Sequence, residues 1–259
     1  MSPSPDDLTL AGLRAALAQH PLVTRVVYRS RLGSTNDLAK EHANTGVAEG
    51  LLVIADKQSA GRGRMKRRWW APAGTALLTS LLFRPSLPPD QAGQLTMLCA
   101  LAAADAVTAL PVDLKWPNDL LVRGRKLAGL LTETAIKGKS LDFVVVGLGM
   151  NVNADLSDAP PFITPATSLR QELGRPVDRL ALLLAYLDGV ARRYARLAQE
   201  SPCDEWASRL ITLGQPITAH LDDHTLSGLA QGVDANGALL LRTADGTVHR
   251  LFAADVSLR

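Results

Sequence analysis

The chain has 259 residues, 47% of them hydrophobic and 20% charged, with a formal net charge of +3. That much apolar sequence suffices for a large buried core in one or two domains, whereas so small a positive excess excludes a cationic coat for long nucleic acids and favours a local anionic ligand. Cys99 and Cys203 form no CxxC pair, no HExxH occurs, and His220 and His224 sit in a polar turn-like segment while His20, His42 and His249 are scattered, so neither a disulfide framework nor a zinc site is suggested.

The N-terminus is polar and acidic, unlike a signal peptide, and no apolar run is long enough for a membrane span. A cytoplasmic protein without membrane contact is expected. Residues 8–19 predict a short amphipathic helix, and 23–28, alternating and β-branched, a strand. Ser34 or Thr35 fits the N-cap of a helix running to about 43. Residues 51–55 predict a buried strand that delivers Asp56, Lys57 and Gln58 to its C-terminal end.

Gly61-Arg62-Gly63-Arg64-Met65-Lys66-Arg67-Arg68-Trp69 comes next, with five cations and two glycines in nine residues. Buried, those charges would be unpaired, and the glycines weaken any helix or strand. The segment predicts a mobile cationic loop. Gly63 lets backbone approach a ligand, the arginines and Lys66 can embrace phosphate oxygens, and Trp69 can stack on a flat ring. Alone, it fits equally a solvated basic loop or a nucleic-acid patch.

Residues 75–83 predict a strand ended by Pro85, and 94–110, apolar on nearly all faces, a helix packed on a sheet with Cys99 buried in it. Residues 112–116, 120–122, 127–135 and 141–148 predict further strands, with hairpin turns at Pro117-Asn118-Asp119 and Arg123-Gly124-Arg125. Residues 178–199 predict a long amphipathic helix capped by Asp178, and 204–210 a short one. After Gly214, strands at 217–220, 225–233, 238–243 and 248–256 are separated by turn signals at Asp222-Asp223, Asp234-Ala235-Asn236-Gly237 and Asp245-Gly246. That spacing predicts a small β-barrel, with His220 and His224 on the surface. The fold expected is α+β: a central mixed sheet backed by helices 94–110 and 178–199, then a small SH3-like barrel, with domains at 1–212 and 213–259.

Three further segments turn the loop into a site. Lys115-Trp116-Pro117-Asn118-Asp119 ends a strand with a lysine, an amide and a carboxylate in a tight turn. Gly124-Arg125-Lys126-Leu127-Ala128-Gly129 opens a strand with cations and then a small residue against which a ligand can lie. Gly147-Leu148-Gly149-Met150-Asn151 ends a buried strand with two glycines and an asparagine. Each alone is compatible with a turn, an edge cation or a bulge.

In this order and spacing, with Gly33-Ser34-Thr35-Asn36 and Gln58-Ser59-Ala60-Gly61 added, these motifs resemble those of the biotin–protein ligases over roughly residues 22–259. The resemblance implies two steps. Biotin and ATP, with Mg2+, give biotinyl-5′-AMP and pyrophosphate, and a lysine of a biotin carboxyl carrier protein then takes the biotinyl group. By the same resemblance Ser34, Thr35, Asn36, Gln58, Gly61, Arg62, Gly63, Arg64, Lys126 and Gly129 bind biotin. Arg64, Arg67, Trp69, Lys115, Asn118, Lys126 and Asn151 bind ATP, and Lys126, Arg64 and Lys115 carry the catalysis, with Lys126 bridging the biotin carboxylate and the α-phosphate. Asp119 is a metal contact or a turn acceptor. The 61–69 loop is expected to be loose when empty and ordered over the adenylate. Met65 stands where the family is often basic, and Ala254 where it usually has glycine. With only about twenty residues before the first matched strand, no DNA-binding domain and no specific DNA binding are expected, and a monomer or homodimer fits. A lipoate–protein ligase shares the two-step logic and is the nearest alternative; a nucleic-acid-binding regulator using the basic loop is the other.

Overall fold

The computed structural model describes residues 8–65, 67–157, 159–160, 165–221, 224–252 and 254–258. Lys66, the Asp222-Asp223 turn and Arg259 lie outside the described residues. In chain order the elements are α1 (Leu10–Ala16), β1 (Arg25–Leu32), α2 (Thr35–Asn44), β2 (Leu51–Gln58), β3 (Ala76–Phe83), α3 (Gly93–Ala106), β4 (Asp113–Lys115), β5 (Asp119–Val122), β6 (Arg125–Lys137) and β7 (Ser140–Asn151). They continue with α4 (Leu169–Leu173), α5 (Arg179–Tyr194), α6 (Cys203–Ser208), β8 (Pro216–His220), β9 (Thr225–Val233), β10 (Leu239–Thr243), β11 (Val248–Leu251) and β12 (Asp255–Leu258).

The first seven strands form one mixed sheet in the order β1-β2-β3-β7-β6-β5-β4. Only β1 and β2, joined through α2, run parallel; the remaining neighbours are antiparallel. Strand side chains alternate between faces, and the sheet uses both. Leu77, Leu81, Leu130, Val146 and Leu148 pack with α3 and α5 into the principal core. Val53, Leu82, Phe143 and Val145 pack on the other side with Ala39 and Ala43 of α2. Along β7 this second face continues as Gly147, Gly149 and Asn151. There the side chains shrink to hydrogen, and the face opens.

The last five strands form an antiparallel sheet, β11-β10-β9-β8-β12, the SH3-like module. The single strand expected over 248–256 is two, because its halves pair with different partners, β11 with β10 and β12 with β8. The module is fixed to the large sheet. Trp116 Nε1 donates to Gly237 O at 3.0 Å, and Leu114 exchanges backbone hydrogen bonds with Arg209 and Ile211, in the segment that leads into the module. Asp178 caps α5 through hydrogen bonds from the Leu180 and Ala181 amides. Further boundaries differ from expectation, among them the shorter α1 (Leu10–Ala16) and α5 (Arg179–Tyr194) in place of 8–19 and 178–199. The strand expected over 51–55 runs on through Gln58, α3 ends at Ala106, and α4 has no counterpart among the expected elements.

Candidate active site

A cleft of about 500 Å3 opens on the glycine-lined face of the large sheet, between α2, the 61–69 loop and the β12 end of the small module. Of the residues that the resemblance assigns to biotin, ATP or catalysis, all but Gly61 line it. Interlocking explains why separate motifs meet. A Cβ on Gly147 would lie 2.1 Å from Asn36 Oδ1, and one on Gly149 would lie 2.6 Å from the Trp69 indole. Both are impossible contacts, so each glycine clears space for a side chain from another motif. Gly61 works in the same way, since a Cβ there would sit 2.8 Å from Trp69 O.

One end of the cleft is neutral. The Thr35 amide and hydroxyl both donate to Gln58 Oε1, at 2.7 and 3.0 Å. A backbone amide can only donate, so this contact orients the Gln58 side chain and leaves its Nε2 as the free donor end. Ser34 occupies the N-cap position of α2 without a side-chain cap bond. Neither hydroxyl therefore caps the helix: that of Thr35 is held by Gln58, and that of Ser34 faces the cleft without serving α2.

Asn36 lines the cleft, but its side chain is bonded within the protein. Its Nδ2 donates to Leu131 O at 3.1 Å and Glu133 Oε2 at 2.8 Å, and its Oδ1 accepts from Ser80 Oγ at 2.6 Å. The side chain is engaged at both ends and braces α2 against β3 and β6. Arg62 likewise turns away from the cationic end. Its guanidinium meets Asp37 and Glu133, and Lys40 pairs with Glu133 at 2.5 Å. That network pairs the Arg62 charge with carboxylates away from the cationic end, while Arg62 still lines the cleft.

The other end is charged. Arg64, Arg67, Lys115 and Lys126 face the carboxylates of Asp119 and Asp255. Lys126 Nζ lies 2.6 Å from Asp119 Oδ1, and Arg67 lies 2.5 Å from Asp255 Oδ2. In this structure Asp119 is the counter-ion of Lys126. Burial pulls the pKa of both Arg64 and Lys115 below their ordinary values, against the opposing charges of Asp119 and Asp255. For Asp255 burial raises the pKa, but the hydrogen bond and charge of Arg67, with Lys115, carry it below the usual carboxylate range. Among the described residues, no group of three or more His, Cys, Asp or Glu is arranged to hold a metal, and no helix is long and apolar enough to cross a membrane.

Between the two ends lie the aromatic and amide groups. The Trp69 indole rests on the Gly149 backbone. Asn118 Nδ2 donates to Leu130 O, so this amide holds β6 in place. Asn151 Nδ2 donates to Thr167 O at 3.1 Å, while its Oδ1 is buried without a partner among the described residues. A buried acceptor left open costs free energy until something donates to it. The described loop residues form a small hairpin, with Trp69 N donating to Gly61 O at 2.9 Å and Gly63 N to Arg67 O at 2.7 Å. Met65 sits exposed at its tip with φ 52°.

Sequence reasoning missed Ser80, Glu133 and Asp255 as site residues. Ser80 had a weak signal, as a polar residue inside the apolar run Ala76–Phe83. Glu133 and Asp255 had none, because their partners lie 97 and 188 residues away in sequence.

The family model described as "Biotin/lipoate A/B protein ligase family" matches residues 28–151, and that described as "Biotin protein ligase C terminal domain" matches 212–259. The bifunctional ligase/repressor BirA of Bacillus subtilis is 35% identical over 98% of this chain and 80% of its own length. The biotin–[acetyl-CoA-carboxylase] ligase of Paracoccus denitrificans is 36% identical over 84% of this chain and 94% of its own. The structure of the Aquifex aeolicus biotin protein ligase in complex with biotin and ATP superposes with a TM-score of 0.73 at 27% identity, covering 91% of this chain and 99% of that one. With both matched segments falling on the two sheets, and the interlocked motifs in the first of them, the chain belongs to the biotin/lipoate A/B protein ligase family.

Proposed function

We propose that this chain is an ATP-dependent ligase that activates biotin as biotinyl-5′-AMP and transfers it to a lysine of a biotin carboxyl carrier protein, such as that of acetyl-CoA carboxylase. The observation that carries this reading is one continuous cleft with a neutral hydrogen-bonding end and a cationic end. Biotin has the same division, an uncharged ureido ring and an anionic tail. Gln58 Nε2 and the Ser34 hydroxyl serve the ring, with the backbones of Arg62 and Gly129 closing around it. The tail then points toward Lys126.

In the first step a carboxylate oxygen of biotin attacks the α-phosphorus of ATP, the bond to the bridging oxygen breaks, and pyrophosphate leaves. Two anions must meet, so fixed positive charge around the reacting phosphate is the main help available, typically worth several kcal/mol. Lys126 moves from Asp119 to the carboxylate and α-phosphate oxygens, while Arg64, Arg67 and Lys115 hold the remaining phosphate oxygens. Asp119 and Asp255 are the carboxylates that would be available to a magnesium ion carried by the triphosphate, which would offset its charge. Asn151 Oδ1 accepts from the adenine amino group, and Trp69 covers the ring. In the second step the carrier lysine, as a free amine, attacks the acyl carbon; AMP departs and the amine proton is lost to solvent. Because the mixed anhydride hydrolyses, the loop must close over it. Amide exchange at residues 61–65 and 67–69 is expected to slow at least about tenfold with adenylate bound. Equal exchange in the two states would count against closure.

A cytoplasmic location follows from the need for ATP and for the carrier. We place the domain boundary at 212/213, where Thr212 still bonds the Trp116 amide and the small module begins. The test is to incubate the protein with biotin, ATP, magnesium and a carrier domain and to weigh the carrier. One biotinyl group should be added, and none with lipoate. No gain with biotin, or an equal gain with lipoate, rejects the reading.

A further inference from the structure

We infer that Glu172 is a positioning residue for the chemical step, acting on Lys126 through the chain segment that runs beside it. The inference rests on the role proposed above for Lys126. The Glu172 side chain is fully buried, and its carboxylate accepts from Thr167 Oγ1 at 2.6 Å and from Arg125 at 2.6 Å, with Arg123 at 3.4 Å. Burying a carboxylate is expensive even when it is paired, and an apolar residue of like volume generally serves stability as well or better. A buried charge on a five-residue helix, reaching two arginines of a neighbouring turn, therefore fixes geometry.

What it fixes is legible in the backbone. Lys126 N donates to Pro165 O at 2.7 Å, and Thr167 N donates to Lys126 O at 2.9 Å, so both backbone polar groups of Lys126 are held by residues 165–167. The same Thr167 takes the Asn151 amide on its carbonyl. Two residues of the cleft thus hang on one short segment, and Glu172 ties that segment to the turn immediately before Lys126. The turn itself is strained. Arg123 sits at φ 51°, where residues other than glycine are disfavoured, and its guanidinium points back to Glu172. Ser34, Thr35 and Gln58, which serve the ureido ring, have no hydrogen bond to this segment among the described residues, so only the tail contact at Lys126 can carry its displacement into biotin affinity.

The consequence is a split between binding and chemistry. A reacting group displaced by about 1 Å loses about a hundredfold in rate. Glu172→Ala is expected to lower kcat for biotin-dependent pyrophosphate release by about 10- to 100-fold, while the biotin Kd measured by calorimetry stays within about twofold of wild type. Glu172→Gln, which keeps the shape and the acceptor for Thr167 but not the charge, should recover part of the loss. Should Glu172→Ala fail to fold, Thr167→Val removes only the hydroxyl that Glu172 accepts and should lower kcat by about 3- to 10-fold with biotin affinity unchanged. Unaltered kcat in folded variants, or kcat and biotin affinity falling together, overturns the positioning role and leaves the ligase reading intact. A wild-type protein that releases no pyrophosphate with biotin and ATP overturns both.

Discussion

The two faces of the seven-stranded sheet are made by the same strands and differ by an offset of one residue. On β7, Val144, Val146 and Leu148 enter the core beneath α3 and α5, while Gly147, Gly149 and Asn151 face the cleft. One face is filled by branched side chains at interior density. The other is emptied, so that Asn36, Trp69 and a ligand can lie against bare backbone. Rigidity and openness are thereby assigned to alternate residues of one strand. The family's site can be stripped to glycine without thinning the core that holds it.

The largest effect should come from removing the charge that the open face presents. Lys126→Ala is expected to lower biotinyl transfer by about a thousandfold, the scale of losing a principal transition-state cation. Its Nζ pairs only with Asp119 among the described residues and is not part of the core, so thermal unfolding should hardly change. Intact-mass measurement of the carrier checks the first statement and calorimetry the second. Undiminished transfer removes Lys126 from the mechanism.

Next in size is a contrast between neighbours on β7. Gly147→Ala places a methyl group where Asn36 Oδ1 already sits, so α2 and the Ser34–Thr35 end must shift. Biotin affinity should fall by about a hundredfold, with overpacking costing about 1–3 kcal/mol of stability. Val146→Ala, one residue earlier, removes buried methyl groups from the other face and should cost about 2 kcal/mol of stability with affinity retained. Titrating biotin into both variants at low temperature, and melting both, separates the two faces. Equal affinity in both variants would show that the offset has no functional meaning.

This contrast also marks how far the sequence could be read. The long periodic elements and the motif glycines were legible, because alternation and helical spacing are local properties. The purpose of each glycine was not. Nothing near Gly147 reveals that the space is cleared for Asn36, more than a hundred residues earlier. The resemblance grouped Asn36 with the ligand contacts, yet its amide is engaged by Ser80 and Glu133 through pairings that only the assembled sheet creates. α4 escaped for a simpler reason: five residues are too few to display a helical period. The break between β11 and β12 escaped because a change of pairing partner leaves no mark on an apolar pattern.

A smaller effect concerns the charge state of the open face. Burial lowers the pKa of the Lys115 ammonium, so it loses its proton at a lower pH than an ordinary lysine. Since the charged form holds phosphate, kcat/KM for ATP should be intact at neutral pH and decline as pH rises toward that lowered pKa. Lys115→Arg keeps its charge throughout and should move the decline to higher pH, at some cost in rate because its planar fork does not match the ammonium. The pH profile of the free enzyme reads this directly. An alkaline limb at the same pH in both proteins assigns the decline to another group.

The smallest effect belongs to the filled face and has the opposite sign. Thr79 pairs across the sheet with Ile54 and Leu148, both members of the principal core, so its side chain points away from the cleft that its backbone borders. Its hydroxyl is buried with no hydrogen-bond partner among the described residues. An unsatisfied buried hydroxyl costs about 1–3 kcal/mol, and valine has nearly the same shape without it. Thr79→Val should therefore raise the stability by about 1 kcal/mol and the melting temperature by about 2–4 °C, with biotin affinity and transfer unchanged. A loss of affinity would place the hydroxyl on the cleft side and break the division of labour between the faces. A loss of stability with affinity retained would mean that the hydroxyl has found a partner inside the core.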